Sequence, residues 1–460
     1  MQAALDYLKK RAADDWLSGY DSRQFNQMAE KLYSELTQLL LYGSPKILIA
    51  EREPVRFLAG FIAACAAGCP VFLSNPNWVK PEWEQVFELV QPDLILGHGD
   101  WGLELRNYHP SPQPTILNPR WIMIPTGGSS GRIRFAIHTW ETLMASVQGF
   151  QQYFDLDQVN SFCVLPLYHV SGLMQFLRSF TTNGQLVILP FKELQTNAKY
   201  KIELSDFFVS LVPTQLQHLL QNSASVSWLS QFKTVLLGGA PAWNEILEQA
   251  RNYGIRLAPT YGMTETASQI ATLKPENFLK GYNSCGQVLP HARVTICSPT
   301  GKILGVNKTG IITIQAKSLA LGYYPELFIE NRLQLDDLGF FDNKGNLNIV
   351  GRSSNKIITG GENVYPSEVE AAIKKTHLVD DVCVIGLPDK HWGQVVTAIY
   401  IPSNLSITTA ALQAALENKL SKFKRPKHWI AVEKLPRNYQ GKVNFEQLQK
   451  IATASLQIPS

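Results

Sequence analysis

The sequence has few charged residues for its length and no long, uninterrupted hydrophobic segment. Only 17% of its 460 residues are Asp, Glu, Lys or Arg, and the net charge of +4 is spread along the chain rather than gathered in a block. We therefore expect no nucleic-acid partner. The one candidate for a membrane segment is the uncharged apolar run of residues 57–73, which falls short of the roughly 20 residues that a membrane-spanning helix requires. It predicts a buried helix over residues 54–67 and a buried strand over 71–73, with no integral membrane segment.

Cysteine is also scarce, and its distribution argues against two classes of protein. The six cysteines lie in apolar runs without the paired spacing of zinc ligands or of a disulfide framework. The N-terminus carries charges from its first turns and lacks the apolar core of a signal peptide. We therefore expect reduced thiols and a cytoplasmic location.

The sequence does contain many short apolar strands that alternate with helical stretches. Residues 46–76 read as strand, helix, tight turn and strand, and similar strands begin near residues 162, 186, 207, 234 and 255. This alternation predicts an α/β fold whose large N-terminal region stacks mostly parallel sheets with helices. Shorter strands with Gly and Asn turns follow Gly281 and predict a β-rich subdomain. We expect an N-terminal domain over residues 1–351 and a small, mobile α+β C-terminal domain over 352–460.

A loop of glycines and hydroxyl residues is the first candidate for chemistry. Residues 126–134, TGGSSGRIR, lie between two predicted strands. Backbone amides and hydroxyls in such a loop can approach phosphate oxygens closely. The loop lacks the GKS or GKT ending of an ordinary P-loop, and taken alone it is equally compatible with a Gly/Ser hairpin that binds nothing.

The second candidate, residues 260–269, TYGMTETASQ, immediately follows a predicted buried strand. It offers an aromatic face, a hydroxyl and a carboxylate, which suit stacking a base, bonding a phosphate and holding Mg²⁺. The alternative is a helix N-cap formed by Thr264 with Glu265 near the helix dipole. Residues 236–241, LLGGAP, could form a flat wall for a purine, although by themselves they are only a turn.

The third candidate combines an acidic turn with an arginine. Residues 336–342, DDLGFFD, are followed by Gly351 and Arg352. A carboxylate and a guanidinium together can bind ribose hydroxyls, but an acidic turn paired with an arginine is an equally good structural explanation.

The order of these motifs resembles that of the adenylate-forming acyl-CoA synthetase superfamily over residues 45–445. The motifs occur in the order that the family has. They are the phosphate loop, PLYHVSG at 166, VPTQL at 212, GGAP, YGMTE, DLG, GR, GGENVYPSEVE and PRNYQGK. The resemblance implies an ATP-dependent ligase that uses ATP, Mg²⁺ and CoA, forms an acyl adenylate and transfers the acyl group to a thiol.

The resemblance also implies individual roles in the adenylation half-reaction. A loop over the β- and γ-phosphates would be formed by Thr126, Gly127, Gly128, Ser129, Ser130 and Gly131. The adenine slot would comprise Gly238, Gly239, Ala240, Tyr261 and Gly262, with Asp337 and Arg352 at the ribose. Thr264 would contact the α-phosphate, Glu265 would bind Mg²⁺, and Lys442 would bridge the two anions that react. Without the motif, Lys442 would be read as a solvated surface charge.

For thioester formation the resemblance implies a rotation of the C-terminal domain about Ser354. Gly360 and Gly361 would line the tunnel for the thiol, where glycine permits close backbone approach. Trp392, Phe423 and Arg425 match the positions with which aryl-CoA ligases grip the CoA nucleotide. An aromatic surface beside a guanidinium suits an adenine and its phosphates.

Within the superfamily, the segments TYGMTETASQIATL, LPLYHVSGL and IITGGENVYPSEVE are most similar to the o-succinylbenzoate CoA ligases of menaquinone and phylloquinone synthesis. That acid carries an aromatic ring and a second carboxylate, so its pocket needs apolar walls and hydrogen-bond donors. The candidate donors are His169, Ser171, Thr214, Ser268 and Gln269. His169 is also a candidate catalytic residue, because family members use this position as a gate to the thiol tunnel. It could equally be a packing histidine.

Two departures from the family pattern and several rival functions stay open at this level. Ile133 and Arg134 replace the usual Pro-Lys, and Leu335-Asp336-Asp337 replaces the usual TGD, so we expect altered ATP affinity with activity retained. The rivals are a synthetase for another aryl or medium-chain acid, a peptide-synthetase adenylation module, a luciferase-like oxygenase and a non-catalytic nucleotide-binding regulator. A homo-oligomer is compatible with the sequence.

Overall fold

The structure is a computed structural model that describes most of the chain. It describes residues 2–97, 104–105, 120–127, 133–196, 202–242, 244–330, 332–353, 355–359, 362–389, 392–417, 419–420, 422–437 and 443–456. The helices in these residues are α1 (Gln2–Lys10), α2 (Ser22–Leu39), α3 (Pro54–Ala67), α4 (Lys80–Val90), α5 (Trp140–Phe154), α6 (Val170–Thr181), α7 (Pro213–Leu220), α8 (Ser223–Leu229), α9 (Asn244–Asn252), α10 (Pro275–Leu279), α11 (Pro366–Lys374), α12 (Thr409–Leu416) and α13 (Phe445–Leu456).

The strands fall into four sheets. They are β1 (Leu17–Ser18), β2 (Ile47–Ile49), β3 (Val71–Leu73), β4 (Leu94–Leu96), β5 (Glu104–Leu105), β6 (Ile122–Gly127), β7 (Ile133–His138), β8 (Asn160–Cys163), β9 (Leu186–Ile188), β10 (Phe207–Leu211), β11 (Thr234–Leu237), β12 (Leu257–Met263), β13 (Ser268–Thr272), β14 (Gln287–Val288), β15 (Ala292–Cys297), β16 (Gly310–Ala316), β17 (Gly322–Tyr323), β18 (Glu326–Leu327), β19 (Leu333–Phe341), β20 (Leu347–Arg352), β21 (Ile357–Thr359), β22 (Glu362–Val364), β23 (Val379–Asp389), β24 (Gly393–Pro402) and β25 (His428–Ala431).

Helix α3 shows how local sequence sets these elements. The side chain of Glu53 accepts hydrogen bonds from the backbone N–H groups of Val55 and Arg56, and Pro54 fits the first helical position because it needs no N–H partner there. Gly68 ends the helix in a left-handed conformation with φ 77°. The apolar residues that resembled a membrane segment are buried because α3 packs against α1, α2, β2 and β3. Among the described residues, no helix has the length and apolarity to cross a membrane.

The first sheet has the order β1-β9-β8-β10-β11-β12-β13-β14. Its strands from β1 to β12 pair in parallel, and β13 and β14 then continue it antiparallel. The carboxyl ends of β10, β11 and β12 therefore lie at one edge, where ligand sites of parallel sheets occur.

The second sheet has the order β18-β17-β7-β6-β3-β2-β4-β5. Its centre is parallel, whereas β6 and β7 form an antiparallel hairpin and β17 pairs antiparallel with β7. Apolar side chains from both sheets join those of α3, α5 and α6 in one core. Helix α6 is buried along most of its length between the two sheets, which places its few polar side chains in the interior.

The third sheet, β15-β16-β19-β20, is antiparallel throughout and corresponds to the predicted β-rich part. The fourth has the order β22-β21-β24-β23, with β25 parallel to β24. Alternate residues of β24 face opposite cores, since Val396 and Ala398 pack with α11 and α12 whereas Val395 and Ile399 pack with α13. The predicted α/β class, with a β-rich part and an α+β C-terminal part, is confirmed.

Candidate active site

Three of the residues predicted to bind the nucleoside are joined by hydrogen bonds. The hydroxyl of Tyr261, on β12, donates to Oδ2 of Asp337 at 2.6 Å, and Nε of Arg352 donates to Oδ1 of the same carboxylate at 3.1 Å. Asp337 and Arg352 face each other across β19 and β20. Burial, followed by the charge of Asp337 and this hydrogen bond, raises the pKa of Tyr261. Because an ionised carboxylate has about four acceptor positions, Asp337 can still accept from ribose hydroxyls.

Backbone glycines shape the surface beside Tyr261. A Cβ on Gly238 would lie 2.5 Å from Oγ1 of Thr260, so the end of β11 can approach β12 only without a side chain. Gly239 and Ala240 follow as exposed residues. The predicted flat wall therefore begins beside Thr260, the residue that precedes Tyr261 on β12.

The predicted phosphate and metal residues lie on a turn rather than on a helix. Thr264 and Glu265 belong to a 3₁₀ turn, Thr264–Thr266, between β12 and β13. The alternative that Thr264 caps an α-helix is therefore wrong, because Ser268–Thr272 returns as an antiparallel strand. The motif also does not follow its strand as expected, since its first four residues form the end of β12.

The turn is held by buried contacts and carries backbone strain. Nε2 of His138 donates to the carbonyl oxygen of Thr264 at 2.8 Å, and the hydroxyl of Ser146 donates to that of Ala267 at 2.6 Å. Burial lowers the pKa of His138 to about 4, so the ring is neutral. Ala267 and Ser268 have φ values of 50° and 92°, which side chains rarely adopt and which occur most often at functional sites.

Glu265 is a suitable ligand for the predicted Mg²⁺. Its side chain is buried, and Oε1 accepts a 2.5 Å hydrogen bond from the hydroxyl of Tyr323. Mg²⁺ prefers oxygen ligands and commonly takes one or two carboxylates together with phosphate oxygens and water. Among the residues that the structure describes, no cluster of three or more His, Cys, Asp or Glu side chains could hold a metal. A single carboxylate fits Mg²⁺ only when phosphate oxygens supply further ligands.

Sequence reasoning missed a buried arginine next to the predicted acyl donors. Nη2 of Arg178, on α6, donates to Oγ of Ser268 at 3.2 Å and to Oε1 of Gln269 at 3.0 Å. Its guanidinium lies 4.2 Å from the ring centre of Phe150. Within the described chain, no carboxylate forms an ion pair with Arg178. Burial lowers the pKa of Arg178 to about 9, so the group is still cationic at neutral pH.

Several polar atoms around Arg178 also lack a protein partner. Nε of Arg178, Nε2 of Gln269 and both ring nitrogens of His291 are buried and make no hydrogen bond within the described residues. Burial and then the charge of Arg178 lower the pKa of His291 to about 4. Since buried polar groups are normally satisfied, this cluster has the features of a site for a polar ligand group.

The remaining acyl candidates lie on α6, directly before it, or on α7. Ser171 is seven residues before Arg178 and therefore on the same face of α6. His169 precedes the helix as its N-cap, with its ring 4.5 Å from that of Tyr168. Thr214 is the second residue of α7, at the carboxyl end of β10. The structure does not bond these three residues to Arg178.

Two of the predicted CoA residues are exposed aromatic side chains. Trp392 is 42% exposed and Phe423 is 38% exposed. Nζ of Lys427 lies 3.7 Å from the ring centre of Trp392. Arg425 instead donates from Nε to the carbonyl oxygen of Leu420 at 2.9 Å, and from Nη2 to that of Glu417. The aromatic part of the predicted grip is thus accessible, whereas the guanidinium is engaged with its own backbone.

The remaining predicted residues lie outside the described residues. They are Gly128, Ser129, Ser130, Gly131, Ser354, Gly360, Gly361 and Lys442. Their described neighbours are ordered as paired strands: Thr126 faces Arg134 and Gly127 faces Ile133 at the base of the phosphate loop.

Arg437 and Val443 form an antiparallel bridge on either side of the segment that contains Lys442. Nη2 of Arg437 donates to Oδ2 of Asp381, and Nζ of Lys374 pairs with Oδ1 of Asp381 at 3.0 Å. The base of that segment is thereby tied to β23 and α11.

Comparison with known proteins first defines the class. Residues 99–324 match the AMP-binding enzyme family, and residues 368–442 match the AMP-binding enzyme C-terminal domain. The first match contains Tyr261 on β12 and Glu265 on the turn that follows it, and the second contains Trp392, Phe423 and Lys442. The class is therefore that of the AMP-binding enzymes, as the motif order predicted.

Individual relatives then give the family. A 2-succinylbenzoate–CoA ligase of Oceanobacillus iheyensis is 35% identical over 62% of this chain and 60% of its own length. One from Bacillus cereus is 30% identical over 93% of each chain. The chain belongs to the 2-succinylbenzoate–CoA ligase family of AMP-binding enzymes. The fold is also that of o-succinylbenzoate CoA synthetase from Bacillus subtilis in complex with an acyl-adenylate intermediate, with a TM-score of 0.82, 22% identity and coverage of 96% and 97%.

Proposed function

We propose that the protein ligates 2-succinylbenzoate to CoA in two steps that consume ATP. The carboxylate oxygen of the acid attacks the α-phosphorus, the bond to the β-phosphate breaks, and pyrophosphate leaves. The CoA sulfur then attacks the acyl carbonyl, and AMP leaves as the thioester forms. The product supplies menaquinone or phylloquinone synthesis.

Arg178 is the observation that carries the substrate assignment. The acid has one carboxylate to activate and a second that must be bound, and burying an unpaired charge costs several kcal/mol. Arg178 is a buried cation whose described neighbours are uncharged. It donates hydrogen bonds to Ser268 and Gln269, which lie on the strand that follows the Thr264–Glu265 turn. A bidentate arginine–carboxylate pair would satisfy both charges. Monocarboxylic acids offer no such partner.

The adenylation site follows from residues already bonded to one another. The glycine wall and the ring of Tyr261 hold the adenine, Asp337 accepts from the ribose hydroxyls, and the hydroxyl of Thr264 donates to the α-phosphate. The loop from Thr126 to Gly131 covers the outer phosphates. Lys442 neutralises the two anions as they meet. Glu265 would hold Mg²⁺, which supplies positive charge against the phosphates.

Thioester formation requires a different arrangement of the same chain. We place a mobile domain at residues 352–460, with Ser354 as the hinge and Gly360 and Gly361 along the thiol path. His169 acts as the gate between the acyl site and that path. Trp392 and Phe423 stack on the CoA adenine, and Arg425 releases its backbone contacts to reach the phosphates.

The test is thioester formation by the purified protein with ATP, Mg²⁺ and CoA. The acids compared are 2-succinylbenzoate, benzoate, 4-phenylbutyrate and octanoate. We expect a clear preference for 2-succinylbenzoate, and no thioester when CoA is omitted although pyrophosphate is released. Turnover of the monocarboxylic acids but not of 2-succinylbenzoate would support the proposed mechanism and contradict the proposed substrate.

The state of the cysteines supports a location for the protein. All six cysteines are unpaired, which suits a reducing compartment, so we place the protein in the cytoplasm with small molecules as its partners. A homo-oligomer is compatible with this function, and light scattering on the same preparation measures the oligomeric state.

A further inference from the structure

Tyr323 reaches the predicted metal ligand from a distant part of the sequence. It lies on β17 and faces Ala136 of β7, so sheet pairing brings it beside the turn that carries Glu265. Its hydroxyl donates to Oε1 of Glu265 at 2.5 Å. The direction of this hydrogen bond is fixed, because an ionised carboxylate can only accept. The contact leaves Oε2 as the oxygen of Glu265 that is available to a cation.

The ring of Tyr323 is held on two sides. The guanidinium carbon of Arg134 lies 4.2 Å from the ring centre, and the ring of Phe328 meets it edge-on at 5.4 Å. Arg134 is on β7 at the base of the phosphate loop, opposite Thr126. One aromatic ring therefore connects the base of that loop to the carboxylate of Glu265.

The stacking explains why an arginine stands where the family usually has lysine. A planar guanidinium can cover an aromatic face while its N–H groups point outward at the edges, which an ammonium group cannot do. Within the described residues, the guanidinium group of Arg134 makes no hydrogen bond, so its N–H donors are available to the triphosphate. The arginine can thus serve the loop and the tyrosine at once.

We propose that Tyr323 is a positioning residue that orients Glu265 toward Mg²⁺, and that Arg134 holds the tyrosine ring in place. This rests on the proposed role of Glu265 as the metal ligand. Hydrogen-bonding partners of metal ligands fix ligand orientation, and their loss typically lowers metal affinity about 10- to 100-fold. The proposal concerns Mg²⁺ affinity rather than the affinity for the free nucleotide.

The variants are chosen to separate the hydroxyl from the ring. Tyr323→Phe keeps the ring on which Arg134 stacks and removes only the donor to Glu265. Tyr324→Phe is the matched control, because Tyr324 is the next residue, its ring packs edge-on against Phe72 at 4.9 Å, and its hydroxyl makes no hydrogen bond within the described chain. Arg134→Lys keeps the charge and removes the planar stack.

The measurement is calorimetric binding of ATP at increasing Mg²⁺ concentration, without the acid or CoA, so that no turnover occurs. We expect Tyr323→Phe to raise the Mg²⁺ concentration at half-maximal binding about tenfold, Arg134→Lys to raise it less, and Tyr324→Phe to match the wild type. Binding of ATP without Mg²⁺ should be equal in the wild type, Tyr323→Phe and Tyr324→Phe. An unchanged Mg²⁺ dependence in Tyr323→Phe would overturn the proposal, while wild-type thioester formation would still uphold the proposed function. ATP binding by the wild type that ignores Mg²⁺ would overturn the metal assignment of Glu265 and this proposal together.

Discussion

The two parts of the candidate active site are built in different ways. Around β12 the side chains are bonded to one another: Tyr261 to Asp337, Tyr323 to Glu265, and Arg178 to Gln269. On the C-terminal part, the aromatic rings of Trp392 and Phe423 are exposed and contact lysines. The described side chains around β12 are therefore linked to one another within the protein, whereas the two aromatic rings of the C-terminal part are accessible to a ligand.

This difference fits the two chemical steps. Stabilising a charged transition state requires donors that are already in place, because reorganising them during the reaction would cost free energy. In the proposed mechanism a thiol takes the place of Lys442, so the C-terminal part would have to move, and its contacts would be better made with the ligand than within the protein. Five variants test this contrast, from the largest expected effect to the smallest.

Lys442→Ala tests whether the C-terminal part contributes to adenylation through the positive charge of this one lysine. We expect pyrophosphate release with 2-succinylbenzoate to fall about a thousandfold, while thioester formation from supplied acyl adenylate is spared. Lys450→Ala, an exposed lysine on α13 paired with Glu446, is the matched control. Equal loss of both half-reactions would remove Lys442 from its assigned role.

Arg178→Met tests the organised acyl site. Because the second carboxylate would lose its buried partner, kcat/KM for 2-succinylbenzoate should fall about 100-fold. Turnover of benzoate should be unchanged and serves as the internal control for folding. Arg178→Lys should restore part of the loss, since the charge returns without the bidentate geometry. A parallel fall for both acids would indicate a purely structural arginine.

The lowered pKa of His138, a residue of the N-terminal part, should make the stability of the folded protein depend on pH. Its pKa is about 4 in the folded protein against a usual value of 6.5, so the unfolded chain binds more protons between these values. Stability should therefore decrease as pH falls from 6.5 to 4, by up to about 3 kcal/mol. Denaturant unfolding of His138→Gln should show a shallower pH slope, with the contribution of His291 still present. Identical slopes in both proteins would contradict this origin.

Asp381→Asn tests the base of the Lys442 segment. Burial alone would raise the pKa of Asp381, but the charges of Lys374 and Arg437 outweigh it and lower the pKa. Loss of this charge removes a carboxylate that two partly buried cations share, so the free energy of unfolding should fall by about 2 kcal/mol. Glu368→Gln, which breaks the more exposed pair with Lys424, should cost less than about 1 kcal/mol. Adenylation should fall more than thioester formation only in Asp381→Asn.

Trp392→Ala should give the smallest effect. Stacking of one base on an aromatic side chain contributes about 1–3 kcal/mol, so KM for CoA should rise about tenfold with KM for ATP unchanged. Phe445→Ala removes another exposed aromatic of the C-terminal part and should leave KM for CoA unchanged. A rise in KM for ATP in Trp392→Ala would mean that Trp392 contributes to the binding of ATP as well as of CoA.

The sequence alone determined the local elements and the class of protein, and it singled out three residues that the structure joins by hydrogen bonds. Helix α3 has the predicted bounds because capping, proline and glycine act over a few residues. Tyr261, Asp337 and Arg352 were found because each lies in a motif of recognisable order. Residues 260–263 were predicted to follow a strand, whereas they form its end, because whether a short polar segment extends a strand depends on its partner strand.

Only the tertiary structure decided which distant residues meet. Arg178 belongs to no motif, and in the sequence it reads as one basic residue in an apolar helix. Its burial follows from the position of α6 between two sheets. Arg134, Glu265 and Tyr323 are brought together by the pairing of β7 with β17, a contact between segments almost 190 residues apart. Local propensity cannot specify such a contact, because it is set by the packing of whole sheets.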